Sequence, residues 1–548
     1  MPANQTKWIT HTFNGGWATD YGNTYYATPE GDQIQIPWFN TLENVSFGKD
    51  GSIGQLPGFD KVLDYPLLQP RTPAGLPENS VVRSFFEYTR MGSSLTGTTE
   101  LLAAVGTGIF VVDVFGSRFL GHMANTNTPI SFSSFNDLAI ISDGGTPYSY
   151  DQTTFGVLAG SPPTFSFSTS HRGRHWCAGD SSAPSRLYYS VAGDPEDWTG
   201  VGSGSIDVDP GDGDSIVGLL SWKSELWVFK GPTKLSIHRI TGSSSSDFAR
   251  VPFIYGVSAV GHNAIFPYGD DFGFWSPRGS CHSLTNTSNY GDYTESYINF
   301  PILSWCTDSA NINPVVGDFW QSVTDKSSGI TYSLINNWIT NVNRSFILVM
   351  DWNFRSQENP YPRFSKMTLD EFSGIGLSKS VSTSNKLSFV CGSYDGFVRR
   401  QREYNELAVT YDDTRKIKSK IHPPYMTYGP PIYRKSVQGI GIEFVSNKTQ
   451  WAPAASASFS VGGPGIPTQV ISATPSIGTV FNSFILDSTP LGPYGNGTVY
   501  REYVSGETTL LQYELNLQSN PFASNASEAR IHHFGVGITH SGTSMEGY

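Results

Sequence analysis

The residues of this sequence best suited to bind a metal ion form one short acidic run. Asp207, Asp209, Asp212 and Asp214 fall within eight residues that also contain two glycines. Carboxylate oxygens are ligands that Ca²⁺ prefers, and glycine lets the backbone turn sharply around an ion. The run lacks the distal bidentate glutamate of an EF-hand loop. Asp and Gly are also common turn residues, so the competing interpretation is a solvated turn between two β units. We predict no metal site and keep calcium as the alternative.

Three pairs of neighbouring acids could suggest glycoside cleavage, which uses two carboxyl groups roughly 5 to 9 Å apart. They are Glu196-Asp197, Asp270-Asp271 and Asp412-Asp413. Neighbours along the chain are typical of turns and surfaces, so we interpret them as such. The pair His532-His533 lies in an alternating strand pattern. Successive strand residues point to opposite faces, so the two rings are not expected to bind one metal.

Motifs of the common enzyme classes are missing from the sequence. It contains no G-x-S-x-G elbow, no H-E-x-x-H pair, no P-loop and no G-x-G-x-x-G that opens a helix after a strand. We therefore predict no catalytic residue, no cofactor and no enzymatic activity.

The cysteines and the first residues bear on the compartment. Cys177, Cys281, Cys306 and Cys391 form no C-x-x-C pair and are far apart. We predict buried free thiols in a reducing compartment. The sequence from Met1 to Trp8 has no apolar core of a signal peptide. No run approaches 18 apolar residues, so no membrane-spanning segment is predicted.

Composition indicates which elements must position these residues. Among 548 residues are 57 Gly and 34 Pro, so long helices are not expected. Aromatic residues make up 14%, too much ring surface for a disordered chain. Charged residues make up only 15%, and the net charge is −12, which disfavours an overall basic nucleic-acid binder. This composition is typical of a large, turn-rich, all-β protein with a neutral polar surface.

A hairpin with a glycine-containing turn recurs along the chain, and glycine supplies the positive φ of tight hairpins. The copies are Leu101–Phe115, Leu138–Tyr150, Leu226–Ile240, Phe272–Leu284 and Leu387–Val398, with looser strands at Arg186–Val191 and Ile330–Trp352. Most starts are about 40 to 50 residues apart, the period of four-stranded propeller blades. We predict an all-β fold with an irregular six- or seven-bladed β-propeller. A pair of β-sandwiches is the alternative, and we expect the aromatics to pack between blades rather than stack on sugars.

The predicted propeller spans residues 80–402. Residues 1–79 form an N-terminal extended or platform segment that ends in a proline-dense stretch. Residues 403–548 form a C-terminal β-sandwich or platform domain, with alternating strands at Val437–Val445 and Ile531–Ile538. We allow that this domain threads against the N-terminal segment.

One basic cluster lies where the predicted propeller ends. It comprises Arg399–Arg402 and Arg415–Lys420. It could contact DNA phosphates. Acidic residues are interleaved with it and no aromatic stacking pattern accompanies it, so we predict a linker surface or a docking patch for an acidic partner.

An ordered series of motifs resembles a known family. It starts with His171–Asp180, which contains R-G-R, and Ser185–Trp198, which contains R-L-Y-Y-S and D-P-E-D-W. The acidic turn within Ile206–Leu219, L-W-V-F at Leu226–Phe229 and I-H-R-I-T-G at Ile237–Gly242 follow. This order resembles the tail nozzle or hub proteins of short-tailed bacteriophages, also called tail tubular or packaged-DNA stabilisation proteins. Tyr26–Pro29 and Gly54–Phe59 look like the N-terminal strand region of that family.

The resemblance implies a structural virion protein assembled in the host bacterial cytoplasm. Copies of the chain would form a ring, of six subunits in that family, below the portal and its adaptor, the head-to-tail connector. The ring would continue the DNA channel, retain the genome without sequence-specific binding, and anchor tailspikes, fibres or a needle protein. The alternative from the residues is a glycan-binding or glycan-cleaving receptor-binding propeller of a phage tail.

Overall fold

The computed structural model describes most of the chain. The described residues are 7–22, 24–25, 33–48, 51–68, 70, 81–92, 97–123, 130–290, 297–308, 311–312, 320–337, 344–355, 360–368, 372–382, 386–402, 410–411, 415–428, 433–445, 455–463, 466–473, 498–502, 506–508, 512–519 and 530–544. Packing divides the chain into two compact units. The first comprises residues 1–60, 348–369 and 401–548, and the second comprises residues 61–347 and 370–400.

The strands have the following bounds in chain order. The first seven are β1 Lys7–Trp17, β2 Thr24–Tyr25, β3 Gln33–Phe39, β4 Thr41–Glu43, β5 Val45–Phe47, β6 Ile53–Gln55 and β7 Phe59–Lys61. The next sixteen are β8 Val82–Arg90, β9 Thr98–Val105, β10 Gly108–Val112, β11 Ser117–His122, β12 Ser131–Phe135, β13 Leu138–Ser142, β14 Tyr148–Tyr150, β15 Phe155–Val157, β16 Phe167–His171, β17 Arg174–Ala178, β18 Arg186–Tyr189, β19 Gly204–Asp207, β20 Ser215–Trp222, β21 Glu225–Gly231, β22 Ser236–Thr241 and β23 Ala249–Tyr255. Then come β24 Ile265–Tyr268, β25 Asp271–Trp275, β26 Cys281–Ser283, β27 Gln321–Asp325, β28 Ile330–Asn337, β29 Arg344–Asp351, β30 Arg363–Met367, β31 Phe372–Ser378, β32 Ser388–Ser393 and β33 Val398–Gln401. The last are β34 Thr410–Tyr411, β35 Arg415–Lys416, β36 Lys418–His422, β37 Tyr425–Met426, β38 Tyr433–Val445, β39 Ala455–Gly463, β40 Ile466–Ala473, β41 Thr498–Glu502, β42 Gly506–Thr508, β43 Gln512–Ser519 and β44 Arg530–Ser544.

Helices are short in the described part of the chain. The α-helices are α1 Leu284–Tyr290 and α2 Leu303–Thr307, and 3₁₀ turns span His262–Ala264 and Phe300–Ile302. None of the described helices has the length and apolar character needed to cross a membrane.

The second unit is a β-propeller of seven blades in a ring. The blades are β8–β11, β12–β15, β16–β19, β20–β23, β24–β26, β27 with β28 and the start of β29, and β31–β33. First strands of neighbouring blades pack against each other, as β8 does with β31 and β12 does with β16, and therefore lie innermost. The predicted all-β propeller is confirmed, with seven blades.

The ring closes between blades seven and one. The hydroxyl of Ser373 donates to the carbonyl of Val82 at 2.6 Å. A Cβ at Gly374 would lie 2.5 Å from the carbonyl carbon of Arg83, so only glycine allows this close approach. On the outer side of blade seven, the N–H of Val62 donates to the carbonyl of Val398 at 2.9 Å. The chain just before blade one is therefore joined to the last blade, which ties the two ends of the ring together.

Aromatic side chains fill the space between blades, as predicted. Trp176 of blade three is fully buried, with its ring centroid 4.7 Å from that of Tyr189 and 4.9 Å from that of Phe248. Between blades four and five, the rings of Phe229 and Phe274 lie 5.3 Å apart. Each such ring removes roughly 150 to 250 Å² of surface from water, so these contacts are a main source of propeller stability.

The first unit combines strands from both ends of the chain. β44 pairs antiparallel with β1, with β38 and with β6. A second sheet in this unit has β4, β36, β43, β39 and β40 as consecutive neighbours. The N-terminal strands therefore share sheets with the C-terminal strands. The division into two units follows from packing. The domain limits predicted from the sequence, at 79/80 and 402/403, remain a prediction.

Candidate functional site at the acidic turn and the propeller channel

The acidic run forms the connection from blade three to blade four. Asp207 is the last residue of β19, and β20 begins directly after Asp214. The backbone adopts positive φ at Asp209 (41°), Gly211 (84°) and Gly213 (90°). Glycine adopts this region without steric penalty, so two of the three positions suit the sharp winding of the turn. The four aspartates are thus brought into one tight turn.

The first two carboxylates are bound by arginines. Asp207 accepts from Arg186 through both oxygens, at 2.7 Å from Nε and 3.0 Å from Nη2. This bond holds the pKa of Asp207 below its usual value. Asp209 accepts from Arg250 and, at 3.2 Å, from the hydroxyl of Tyr255. Neither carboxylate is therefore a free ligand.

The third carboxylate binds a fully buried ammonium group. Lys230 Nζ lies 2.7 Å from Asp212 Oδ2, 2.7 Å from the carbonyl of Val208, 2.9 Å from that of Asp209 and 3.2 Å from Ser185 Oγ. Burial alone would raise the pKa of Asp212, but the bonds from Lys230 and from the Asp214 N–H lower it overall. Oxygen atoms of the kind that calcium would use surround the side chain of a lysine instead.

The fourth carboxylate, Asp214, caps the next turn. It is 3% exposed and accepts from the backbone N–H groups of Thr233, Lys234 and Leu235 at 2.8 to 2.9 Å. The four predicted carboxylates therefore point to different partners and do not converge. Within the described ranges, no three or more His, Cys, Asp or Glu side chains are grouped to hold a metal ion.

The remaining acid and histidine pairs have turn or strand positions. Asp197 accepts from the N–H of Gly200 at 2.7 Å, and Asp271 accepts from the N–H of Thr285 at 3.2 Å. Asp197 acts as a turn group, as interpreted from the sequence, whereas Asp271 begins β25 and binds the first turn of α1. Asp412-Asp413 lie outside the described residues. His532-His533 lie in β44, and their side chains are also outside the described part of the structure.

The basic cluster differs from its predicted surface role at three arginines, Arg399, Arg400 and Arg402, and Arg400 is 8% exposed. Arg399 is 1% exposed and binds Asp395 at 2.7 Å, while the Nε of Arg402 binds Asp60 at 2.6 Å. These two side chains hold structure together, so the prediction of an exposed docking patch is wrong for them. The reason is that Arg399 pairs with Asp395, which is four residues earlier in the chain, and Arg402 pairs with Asp60, which is 342 residues away. The charge pattern of the sequence identifies neither pair.

All four cysteines, in contrast, are buried thiols, as predicted. Burial raises the pKa of Cys177 and of Cys281 well above the usual value. A thiol that stays protonated is a poor nucleophile and metal ligand. These side chains are core residues of the propeller.

A polar channel runs along the innermost strands of the propeller. It encloses about 350 Å³, and every blade contributes lining residues. Ser84, Ser133, Ser168 and Gln321 are among them, together with Phe85. The lining contains no Asp, Glu, Lys or Arg among the described residues. The channel can offer hydroxyl and amide hydrogen bonds but no charge.

The mouth near the start of the inner strands adds one carboxylate. This cavity of about 290 Å³ is lined by Asp180, Trp320 and His262 among others. Asp180 accepts from Ser182, Thr164 and Tyr188, and those bonds lower its pKa against the opposing effect of burial. A second carboxylate to pair with it does not line these cavities within the described residues. The two-carboxyl arrangement of a glycosidase is therefore not formed there.

Histidines with lowered pKa values make the propeller sensitive to acid, and His175, His262 and His282 are three of them. Burial lowers the pKa of His175 to about 3, of His262 to about 4 and of His282 to about 3. Each ring is neutral in the folded protein at pH 5.5, whereas in the unfolded chain it gains a proton below its ordinary pKa near 6.5. The stability that depends on these neutral rings is present above pH 6.5 and is lost as the pH falls.

We expect the urea midpoint of unfolding to decrease between pH 7 and pH 5.5. The slope should be about 1.4 kcal/mol per pH unit for each buried histidine below pH 6.5. The variant His175→Phe removes one of these groups from a site flanked by the rings of Phe165 and Trp198, so its decrease should be smaller. Equal midpoints at the two pH values in the unmodified protein would contradict this account.

Comparisons with known proteins leave the family open. No family model matches this chain. No curated protein matches it either. Among solved structures, the extracellular domain of a hybrid two-component system from B. thetaiotaomicron is 10% identical, with a TM-score of 0.28 over 67% of this chain and 39% of that one. This chain thus spans about two fifths of the length of that structure. An exo-β-1,3-galactanase from Phanerochaete chrysosporium is 8% identical, with a TM-score of 0.25 over 87% of this chain and 100% of that one. At these scores neither likeness bears on the function of this chain.

Proposed function

We propose that this chain is a structural subunit of the tail nozzle of a short-tailed bacteriophage. Copies would form a ring, of six subunits, below the portal and adaptor, and the ring would continue the DNA channel and anchor tailspikes or fibres. The observation that carries the proposal is the ordered run of family-like motifs from His171 to Gly242.

The places of these motifs in the fold support a structural role. Arg186 and Asp207 join the last two strands of blade three, and Arg174 donates to the carbonyls of Ser190 and Gly202 at 2.7 Å. The acidic turn then encloses Lys230 and leads into blade four. These family-like motif residues hold strands and blades together. Such a role is more typical of a scaffold protein than of an enzyme. The charge of the chain, −12, would also limit adhesion of DNA to the ring, because like charges repel.

The test is the mass of the native particle by mass photometry, for the chain alone and mixed with the tail adaptor of the same phage. We expect a ring whose mass is a multiple of 59.9 kDa in at least one of the two samples. A monomer in both samples would contradict the proposal.

A second candidate, glycan binding by a receptor-binding propeller, is favoured by the uncharged hydroxyl-lined channel. The lack of a carboxylate pair in the described cavities favours binding over cleavage. A glycan array combined with a reducing-sugar assay on host polysaccharide separates glycan binding from glycan cleavage. Binding without new reducing ends supports the binding candidate. The absence of both signals contradicts it.

A further inference from the structure

A third cavity of the propeller, here called the pocket, lies at the opposite ends of the inner strands, away from the acidic turn. It is an open depression of about 360 Å³, lined by Phe135, Ser170, His171, Arg172, Gly173, Ser221, Lys223 and Ser224. These residues come from the ends of β12, β16 and β20 and from the turns that follow β16 and β20. The volume is near the lower end of the range of ligand pockets, roughly 300 to 1,000 Å³, so it suits one compact group.

The pocket carries two positive charges and no negative one. Arg172 and Lys223 are both exposed, and neither forms an ion pair with a carboxylate in the described part of the chain. Arg172 donates through Nε and Nη2 to the carbonyl of Ser224, which fixes its guanidinium and leaves Nη1 without a bond among the described residues. In a chain of net charge −12, this pair makes a local positive field that attracts an anion.

Arg172 and Lys223 both have a backbone conformation that other residue types adopt more readily. Arg172 has φ 48° and Lys223 has φ 54°, which is the left-handed region. The equivalent position of blade two, the first residue of the turn between its first two strands, is Asn136 with φ 50°. Asn tolerates this region better than Arg or Lys do. The long cationic side chains are thus present where turn geometry alone favours Asn.

The other lining groups indicate what accompanies the negative charge. The hydroxyls of Ser170, Ser221 and Ser224 can donate to and accept from sugar hydroxyls, and the ring of Phe135 offers an apolar face. Burial lowers the pKa of His171 to about 4, and its Nδ1 lies 2.9 Å from Ser221 Oγ, so it is a neutral hydrogen-bonding group at pH 7. Two cations do not make the extended phosphate track of a DNA-binding surface.

We propose that this pocket binds an acidic sugar, with Arg172 and Lys223 holding its carboxylate and the serines holding its hydroxyls. The proposal rests on the glycan-binding candidate for the class of ligand and is independent of ring assembly. It differs from that candidate in requiring a charged sugar and in placing it at the end of the channel, with which the pocket shares Ser170.

The test is isothermal titration of the full chain with methyl β-D-glucuronide and with methyl β-D-glucoside. We expect the glucuronide to bind and the glucoside to bind at least tenfold more weakly. The variant Lys223→Asn, which copies the turn residue of blade two, should weaken glucuronide binding at least tenfold at an unchanged melting temperature. The control Lys326→Asn removes the same charge from the turn that follows β27, outside the pocket, and should bind as the unmodified chain does.

Four results would overturn the proposal. Equal binding of both sugars leaves the glycan-binding candidate standing but removes the acidic-sugar site. No binding of the glucuronide removes the site directly. Inorganic phosphate that binds as tightly as the glucuronide shows a general anion site. Duplex DNA that displaces the glucuronide, with the same loss in Lys223→Asn, shows a nucleic-acid contact.

Discussion

Replacing Lys230 by methionine is expected to lower the free energy of unfolding by about 3 to 5 kcal/mol, because it removes a fully buried ammonium group that one partly exposed carboxylate and two backbone carbonyls share. Methionine has a similar length and no charge. In its presence the carboxylate of Asp212 loses its cation, and the carbonyls of Val208 and Asp209 lose a donor. A buried acceptor without a donor is destabilising by itself, so the effect should be large for one side chain.

The measurement is urea unfolding of the full chain, followed by tryptophan fluorescence at pH 7. The matched control is Lys234→Met, since Lys234 is exposed and follows in the same turn region. Its effect should stay within about 0.5 kcal/mol. A Lys230→Met variant as stable as the control would show that the acidic turn does not depend on the buried ammonium.

A comparable loss, again about 3 to 5 kcal/mol, is expected for Arg363→Met in the first unit. Arg363 and Asp351 are each 1% exposed, and Arg363 Nε donates to Asp351 at 2.9 Å. The guanidinium also lies over the rings of Phe354 and Phe47, at 4.0 and 4.4 Å from their centroids. Methionine would retain part of the ring packing but would leave the Asp351 charge buried without its partner.

The control for this variant is Arg355→Met. Arg355 is exposed and lies over the ring of Trp352 at 5.0 Å, so it offers a cation–ring contact at the protein surface. Its loss should be below about 1 kcal/mol. Similar losses in the two variants would contradict a dominant contribution from the Arg363–Asp351 pair.

The middle strands of the blades were the predictable part of the fold. The predicted hairpins Leu101–Phe115, Leu226–Ile240 and Leu387–Val398 overlap β9 with β10, β21 with β22, and β32 with the start of β33. These are second and third strands, which neighbouring blades cover on both faces. They therefore read as continuous apolar runs with a glycine turn, which is a strong sequence pattern.

The innermost strands were missed because they border the channel. β12 reads S-F-S-S-F, β16 reads F-S-T-S-H and β27 reads Q-S-V-T-D. Small hydroxyl residues in short runs are as typical of loops as of strands, so hydrophobicity did not separate them. The channel lining depends on ring closure, which brings residues from seven distant segments together. The spacing of residues along the sequence does not predict which of them line the channel.

The acidic turn shows a different limit. A run of four aspartates with two glycines predicts oxygen ligand atoms, but it does not predict which cation balances the charge of the carboxylates. One signal was available: Lys230 ends the apolar run L-W-V-F directly before Gly-Pro, and a charged residue there must be exposed or paired. Its partner, Asp212, lies on the connection to the blade and is not identifiable from strand patterns.

The nozzle proposal requires copies of this chain to surround a common axis. Electron-microscopy class averages of the chain assembled with its tail adaptor test this most directly. We predict closed rings in which a propeller of this chain repeats six times around a central opening. Averages that show single copies of the chain, without rotational symmetry, would contradict it.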